Sequence, residues 1–153
     1  ISLAGCAGLR AEVADFAGVA RHIGGGFAPL DVSRYGSVSF ALRANRGVRV
    51  CLESPSRTGD EQPCVELEAS PQRATVQVPL GAFVRGDTCE PVAPVGLETV
   101  SFVSREPGPL DLEVAQLHFG YGGDRDAALV PCTPKATAGG WLCWTALRRG
   151  CRY

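Results

Sequence analysis

Seven cysteines, two histidines and a polar row on alternating residues are the groups in this chain with chemistry to offer. The cysteines are Cys6, Cys51, Cys64, Cys89, Cys132, Cys143 and Cys151. None stands in a Cys-x-x-Cys pair, so zinc ligation has little support, and the scatter fits disulfides in an oxidising compartment. The odd count leaves one thiol free, or paired with another chain. Cys51 and Cys64 have the same facing parity and bracket one loop. If their strands pair antiparallel, the two side chains sit opposite each other at disulfide distance. Closing that loop would stabilise by roughly 3 kcal/mol on the chain-entropy account. Cys132 with Cys143 or Cys151 is a second candidate pair, and Cys6 could join the tail.

Arg43, Arg49, Glu53, Glu66, Glu68 and Gln77 form an outward polar row. Guanidinium and carboxylate groups pair well with hydroxyls because each offers several donors or acceptors in fixed geometry. Such a row could hold a polyhydroxylated ligand, or be an ordinary solvated sheet face. Glu66 and Glu68 share a face, but a glycosidase needs two carboxyls flanking a scissile bond, which a shared face does not supply. Aromatic rings bind sugar C–H faces, and Tyr35, Tyr121, Trp141 and Trp144 are the candidates. Tyr35 and Tyr121 lie at strand ends, whereas Trp141 and Trp144 flank Cys143 and could pack over a disulfide. His22 and His118 stand far apart. No Gly-x-Ser-x-Gly elbow occurs, and Gly24-Gly25-Gly26 lacks the lysine of a phosphate loop. Asp124 and Asp126 do not form an EF-hand pattern. No cofactor is expected; a structural calcium ion has no motif behind it, and the metal status is unknown.

The elements that would position these groups are strands. In Ser37–Arg43, Val38, Phe40 and Leu42 face one way and Ser37, Ser39, Ala41 and Arg43 the other, the period of a half-buried strand. Asn45-Arg46-Gly47 reads as a hairpin turn, after which Val48, Val50 and Leu52 point inward. Val65 and Leu67, then Val76, Val78 and Leu80, continue the alternation. Further strands are expected at Leu97–Val103 and Leu110–Phe119. In the last, the apolar parity slips between Val114 and Leu117, which predicts a bulge near Ala115 or Gln116. Leu9–Phe16 reads as either a strand or a short helix.

At 153 residues and 45% hydrophobic, the chain is long and apolar enough for one buried core. A net charge of −1 lacks the electrostatic footprint of a nucleic-acid binder. No apolar run is long enough to span a bilayer as a helix. Leu3-Ala4-Gly5-Cys6 has the form of a bacterial lipobox, which would lipidate Cys6. No basic or long apolar segment precedes it here, so a chance match is the preferred reading.

The order Asp31-x-Ser33-x-Tyr35, Val38-x-Phe40, Arg43, then Gly47-Val48-Arg49-Val50, then Val76-Gln77-Val78-Pro79-Leu80 with Phe83 resembles the galactose-binding-like family. That jelly roll is found in carbohydrate-binding modules and in the complex I intermediate-associated protein 30 family. Where the family often carries Trp after the first-strand Phe, this chain has Ala41. The resemblance spans about Gly26 to Phe119. It implies an all-β antiparallel sandwich, taken over residues 1–120; the Gly-, Pro- and Ala-containing run after Gly120, with three cysteines, reads as a cysteine-rich, loop-rich tail over 121–153 stapled onto the sandwich or packed on a neighbouring chain.

The function the resemblance implies is a non-catalytic, extracytoplasmic carbohydrate-binding module whose partner is a glycan or polysaccharide. Tyr35, Arg43, Arg49, Glu66 and Tyr121 are the expected ligand residues. The alternative is a structural or assembly protein that self-associates through edge strands and the tail.

Overall fold

Strict alternation of apolar residues builds two sheets face to face. The computed structural model describes residues 2–23, 28–91 and 93–121. The strands are β1 (Ser2–Val13), β2 (Ala17–His22), β3 (Ser37–Ala44), β4 (Val48–Glu53), β5 (Pro63–Leu67), β6 (Ser70–Pro79), β7 (Val84–Arg85), β8 (Thr99–Ser104) and β9 (Gly108–Gly120). Sheet A runs β1-β9-β3-β6 and sheet B runs β2-β8-β4-β5-β7. Their strand pairings are antiparallel. The described part is thus an antiparallel β-sandwich, as the alternation predicts.

Val38, Phe40 and Leu42 from sheet A meet Val48, Val50 and Leu52 from sheet B in a common core. Phe40 of β3 and Phe102 of β8 touch edge to face across the layers, with ring centroids 4.9 Å apart. That geometry adds about 0.5–1.5 kcal/mol beyond area burial. Pro79 ends β6, and a 3-10 turn at Leu80–Ala82 drops Leu80 and Phe83 into the core. The Leu80 amide bonds the Gly36 carbonyl, which ties this turn to the start of β3.

One expectation needs correction. The Asn45-Arg46-Gly47 turn does not close a hairpin: β3 pairs with β6 and β9, while β4 pairs with β5 and β8. The turn carries the chain from one sheet to the other. Both strands must bury their apolar faces, and facing each other across the core does so without pairing. Of the two readings open for Leu9–Phe16, the strand is found as far as Val13, where the 12-residue β1 ends on the edge of sheet A. The first strand is therefore present, although its small residues and glycines carry little β propensity. Its register comes from β9, with a shift between Leu3 and Cys6 inside the lipobox-like stretch.

The bulge expected in the last strand is found. Gln116 has φ of +57°, and the β3–β9 register shifts between Ser39 and Ala41, opposite His118 and Ala115. The expected disulfide is found too. Cys51 and Cys64 are direct cross-strand partners on β4 and β5, with Cα atoms 4.1 Å apart, and they are bonded. Cys89 is also disulfide-bonded. Cys6 is free and exposed, so it does not staple the tail. Cys132, Cys143 and Cys151, both tryptophans, Asp124 and Asp126 lie outside the described residues.

One carboxyl on sheet B sits in a costly place. Burial pushes Glu53 above the usual carboxylate range, and the Ser101 hydroxyl, donating at 2.5 Å, pulls it partly back. The ionised form therefore penalises the folded state. That penalty is full above the raised pKa and disappears below the ordinary glutamate value of about 4.3. Glu53→Gln is expected to stabilise the domain at neutral pH. The gain should shrink as pH falls through that window, read as denaturation midpoints of both proteins from pH 7 to pH 3. A gain that does not change with pH would refute burial of the charge as its cause.

Candidate functional site

Every strand of sheet A contributes to one polar network on its outer face. Arg43 of β3 donates from Nη1 and Nη2 to the two carboxylate oxygens of Asp111 on β9, at 3.0 and 3.1 Å. Its Nε reaches Glu113 at 3.4 Å. Arg73 of β6 pairs with Glu113 at 3.2 Å, and Arg10 of β1 lies 3.7 Å from Asp111. Three guanidinium groups thus meet two carboxylates, leaving one positive charge over. The Arg43 hydrogen bond holds the Asp111 carboxyl below its usual range, and the Asp111 bond raises Arg43 in turn. Asn45 locks the end of β9 beside them: its Oδ1 accepts from the Asp111 amide at 2.8 Å and its Nδ2 donates to the Pro109 carbonyl at 3.1 Å.

Toward the other end of β3 a second polar group forms. Gln77 Nε2 donates to the Ser37 hydroxyl at 3.0 Å. The His118 ring lies over Gly120, with Nε2 3.4 Å from where a Cβ would stand. Between the two groups the face is floored by small side chains: Ser39, Ala41 and Thr75, with Ala115 on the neighbouring strand. Ala41, paired with Thr75, is the position where the family often has Trp. The arrangement presents fixed donors and acceptors on either side of a low floor, which suits a polyhydroxylated ligand lying along the strands.

Tyr35 and Tyr121 lie together at the end of the sandwich beside Gly120. Their ring centroids are 5.1 Å apart. Tyr35 is only 4% exposed and also packs on Phe119, whereas Tyr121 is 75% exposed. Arg34 Nη2 donates to the Tyr35 hydroxyl at 3.1 Å, and its guanidinium lies over the Tyr35 ring. Tyr35 is therefore a support beneath the exposed ring of Tyr121. Asp31 fixes the loop that leads in, accepting from the Ser33 amide at 2.8 Å; the Ser33 bonds hold its carboxyl below the usual range.

Arg49 and Glu66 are cross-strand partners on sheet B, on the opposite outer face, and are ion-paired at 2.5 Å. Arg49 also approaches Asp60 at 3.9 Å. With Arg46, Glu68, Arg105 and Glu106 they line an open groove of about 620 Å³. The five expected ligand residues thus occupy three places: Arg43 on sheet A, Arg49 and Glu66 on sheet B, and the two tyrosines at one end. The single outward row of the sequence divides between two faces because the 45–47 turn changes sheet. Parity within the segment could not show this. Asp111, Glu113 and Arg73 were not singled out from the sequence, although the alternation of Asp111 and Glu113 with Leu110, Leu112 and Val114 is a readable signal.

Among the described residues no three His, Cys, Asp or Glu side chains gather to hold a metal. No helix among them is long and apolar enough to cross a membrane.

Two antiparallel sheets with this order define a jelly-roll β-sandwich. The chain is similar to the family 11 carbohydrate-binding module of the cellulosomal cellulase Lic26A-Cel5E of Clostridium thermocellum. The TM-score is 0.54 at 12% identity, over 81% of this chain and 87% of that one. It is also similar to a family 11 module from Clostridium thermocellum in complex with a β-1,3-1,4-mixed-linked tetrasaccharide, with TM-score 0.50 at 14% identity, over 81% and 88%. At such identities the likeness establishes the fold. The resemblance to the complex I intermediate-associated protein 30 family rests on the sequence motifs alone. No protein-family profile and no curated protein sequence matches this chain.

Proposed function

We propose that this domain is a non-catalytic glycan-binding module that works outside the cytoplasm, and that the outer face of sheet A is its binding surface. The observation that carries this is the Arg43–Asp111–Glu113 network, held rigid by four strands beside a floor of small side chains. Donors and acceptors locked in place lose little entropy when they meet ligand hydroxyls. The fold supports the reading without dictating it. The Cys51–Cys64 bond and the bonded Cys89 favour an oxidising compartment.

The test is retention of oxidised protein on a panel of soluble and insoluble polysaccharides. One glycan class should retain the wild type. Arg43→Met should weaken that retention about tenfold or more, the effect of losing hydrogen bonds made by a charged group. Arg49→Met, on the other sheet, should leave it unchanged. Equal retention of both variants would sink the assignment to sheet A, and a selective loss with Arg49→Met would move the site to the sheet B groove.

A second reading, self-association, is favoured by β1: a 12-residue edge strand with a free, exposed thiol. Unpaired backbone groups on such an edge can accept another strand. Light scattering that shows a monomer at all concentrations, with and without reductant, would remove it.

A further inference from the structure

The sandwich is open along one side, where the edge strands β1 and β2 leave a cleft of about 460 Å³ between the sheets. Residues that should be sealed in the core are accessible there. Ala7 is paired with the inward-facing Val114, yet it is exposed. Leu3, Leu9 and Val19 pack on the core but are only partly buried. Phe102, Val114 and Leu117 lie deeper in the same cleft. Two of the register irregularities of sheet A fall in its wall, at Leu3/Cys6 on β1 and at Gln116 on β9. A bulge bends its strand, so two at one level swing the edge of sheet A away from sheet B. Gly5, Gly8 and Ala20 fill little of the space this opens.

One charged side chain crosses the opening. Arg21 of β2 donates from Nη2 to the Ala4 carbonyl of β1 at 3.1 Å. Its exposed guanidinium forms no ion pair with a carboxylate among the described residues. Its parity on β2 directs it toward the inside of the sandwich, because its partner Val100 is fully buried.

We propose that this cleft binds one single-chain amphiphile, with its apolar chain between the sheets and its anionic head on Arg21. The size lies within the roughly 300–1,000 Å³ of small-molecule sites, which are typically apolar with few oriented polar groups. The sign of the head follows from charge complementarity with Arg21. The apolar walls exclude a sugar, whose hydroxyls would lose water without gaining partners. The inner walls of two sheets packed about 10 Å apart suit an extended aliphatic chain. This site is separate from the outer face of sheet A.

The experiment titrates the oxidised protein with decanoate and with 1-decanol below their aggregation concentrations, by calorimetry and by methyl NMR. Decanoate should bind one to one, with intermolecular contacts to Leu3, Val19 and Val114 methyls, and more tightly than the alcohol. Arg21→Gln should weaken decanoate about tenfold or more and leave the alcohol unchanged. Ala7→Phe, which fills the cleft, should abolish both. Should Ala7→Phe fail to fold, Arg21→Glu serves instead, since it is exposed and should lose decanoate while keeping the alcohol. The proposal is overturned by an absence of saturable binding, by equal affinity for acid and alcohol, or by decanoate affinity unchanged in Arg21→Gln and Arg21→Glu. It is also overturned if sizing shows a wild-type dimer that Ala7→Phe dissociates, for then a second copy occupies the cleft.

Discussion

Tyr35→Ala is expected to destabilise the domain by about 3–5 kcal/mol, the range for removing a large buried ring. Tyr35 is 4% exposed, and its ring is enclosed by Phe119 at 6.3 Å and Tyr121 at 5.1 Å between centroids. The loss combines the ring's burial with a cavity at the end of the sandwich, where β3 starts and β9 finishes. Tyr35→Phe should cost far less, because among the described residues the hydroxyl it removes is bonded to the Arg34 side chain alone. Urea denaturation of the three proteins, followed by intrinsic fluorescence and by far-UV circular dichroism, measures both effects. From sequence alone, Tyr35 reads as a ligand contact whose removal weakens binding and spares the fold. The burial instead predicts a loss of stability, and a Tyr35→Ala protein of wild-type stability with weakened glycan retention would refute that prediction.

The second large effect is expected from the double substitution Cys51→Ala with Cys64→Ala. The bond closes a loop of sequence separation 13. Removing it frees the unfolded chain and should cost about 3 kcal/mol on the chain-entropy account. The double variant is a cleaner probe than a reductant, because Cys89 is bonded as well and would be reduced with it. The midpoint of urea denaturation should fall while the native circular dichroism is retained. A change well under 1 kcal/mol would mean that the unfolded loop is already held closed by residual structure. Gln62 is a candidate for such local order: its side chain accepts from the Ser54 amide at 3.0 Å and donates to the Ser54 and Arg57 carbonyls at 2.9 and 2.7 Å.

Much of the fold was legible because burial on one side of a strand writes itself as a period of two. Val38, Phe40, Leu42, Val48, Val50 and Leu52 all read as inward, and all are buried at 1% exposure or less. The bulge was legible for the same reason, since an extra residue breaks the period. So was the Cys51–Cys64 pair, whose parity and loop length follow from the strands that carry them. Strand β1 was not legible. Its run Ser-Leu-Ala-Gly-Cys-Ala-Gly-Leu is small and glycine-rich, and it faces an open cleft instead of a packed core, so no alternation was imposed on it.

The candidate site divides along the same line. Which residues point outward was set by local alternation, and Arg43, Arg49 and Glu66 do point outward. Which of them share a surface depended on whether the 45–47 turn joins two paired strands or crosses between sheets. Either outcome buries the same apolar residues, so the pattern is blind to the choice. The pairing of β3 with β9, some 70 positions further along the chain, decides it and brings Arg43 to Asp111 and Glu113. Periodicity is a property of neighbours in sequence, and it settled the sandwich and its inward rows. The network on sheet A, the support of Tyr121 by Tyr35 and the cleft between β1 and β2 depend on contacts between segments far apart in sequence. The tertiary structure alone decided them.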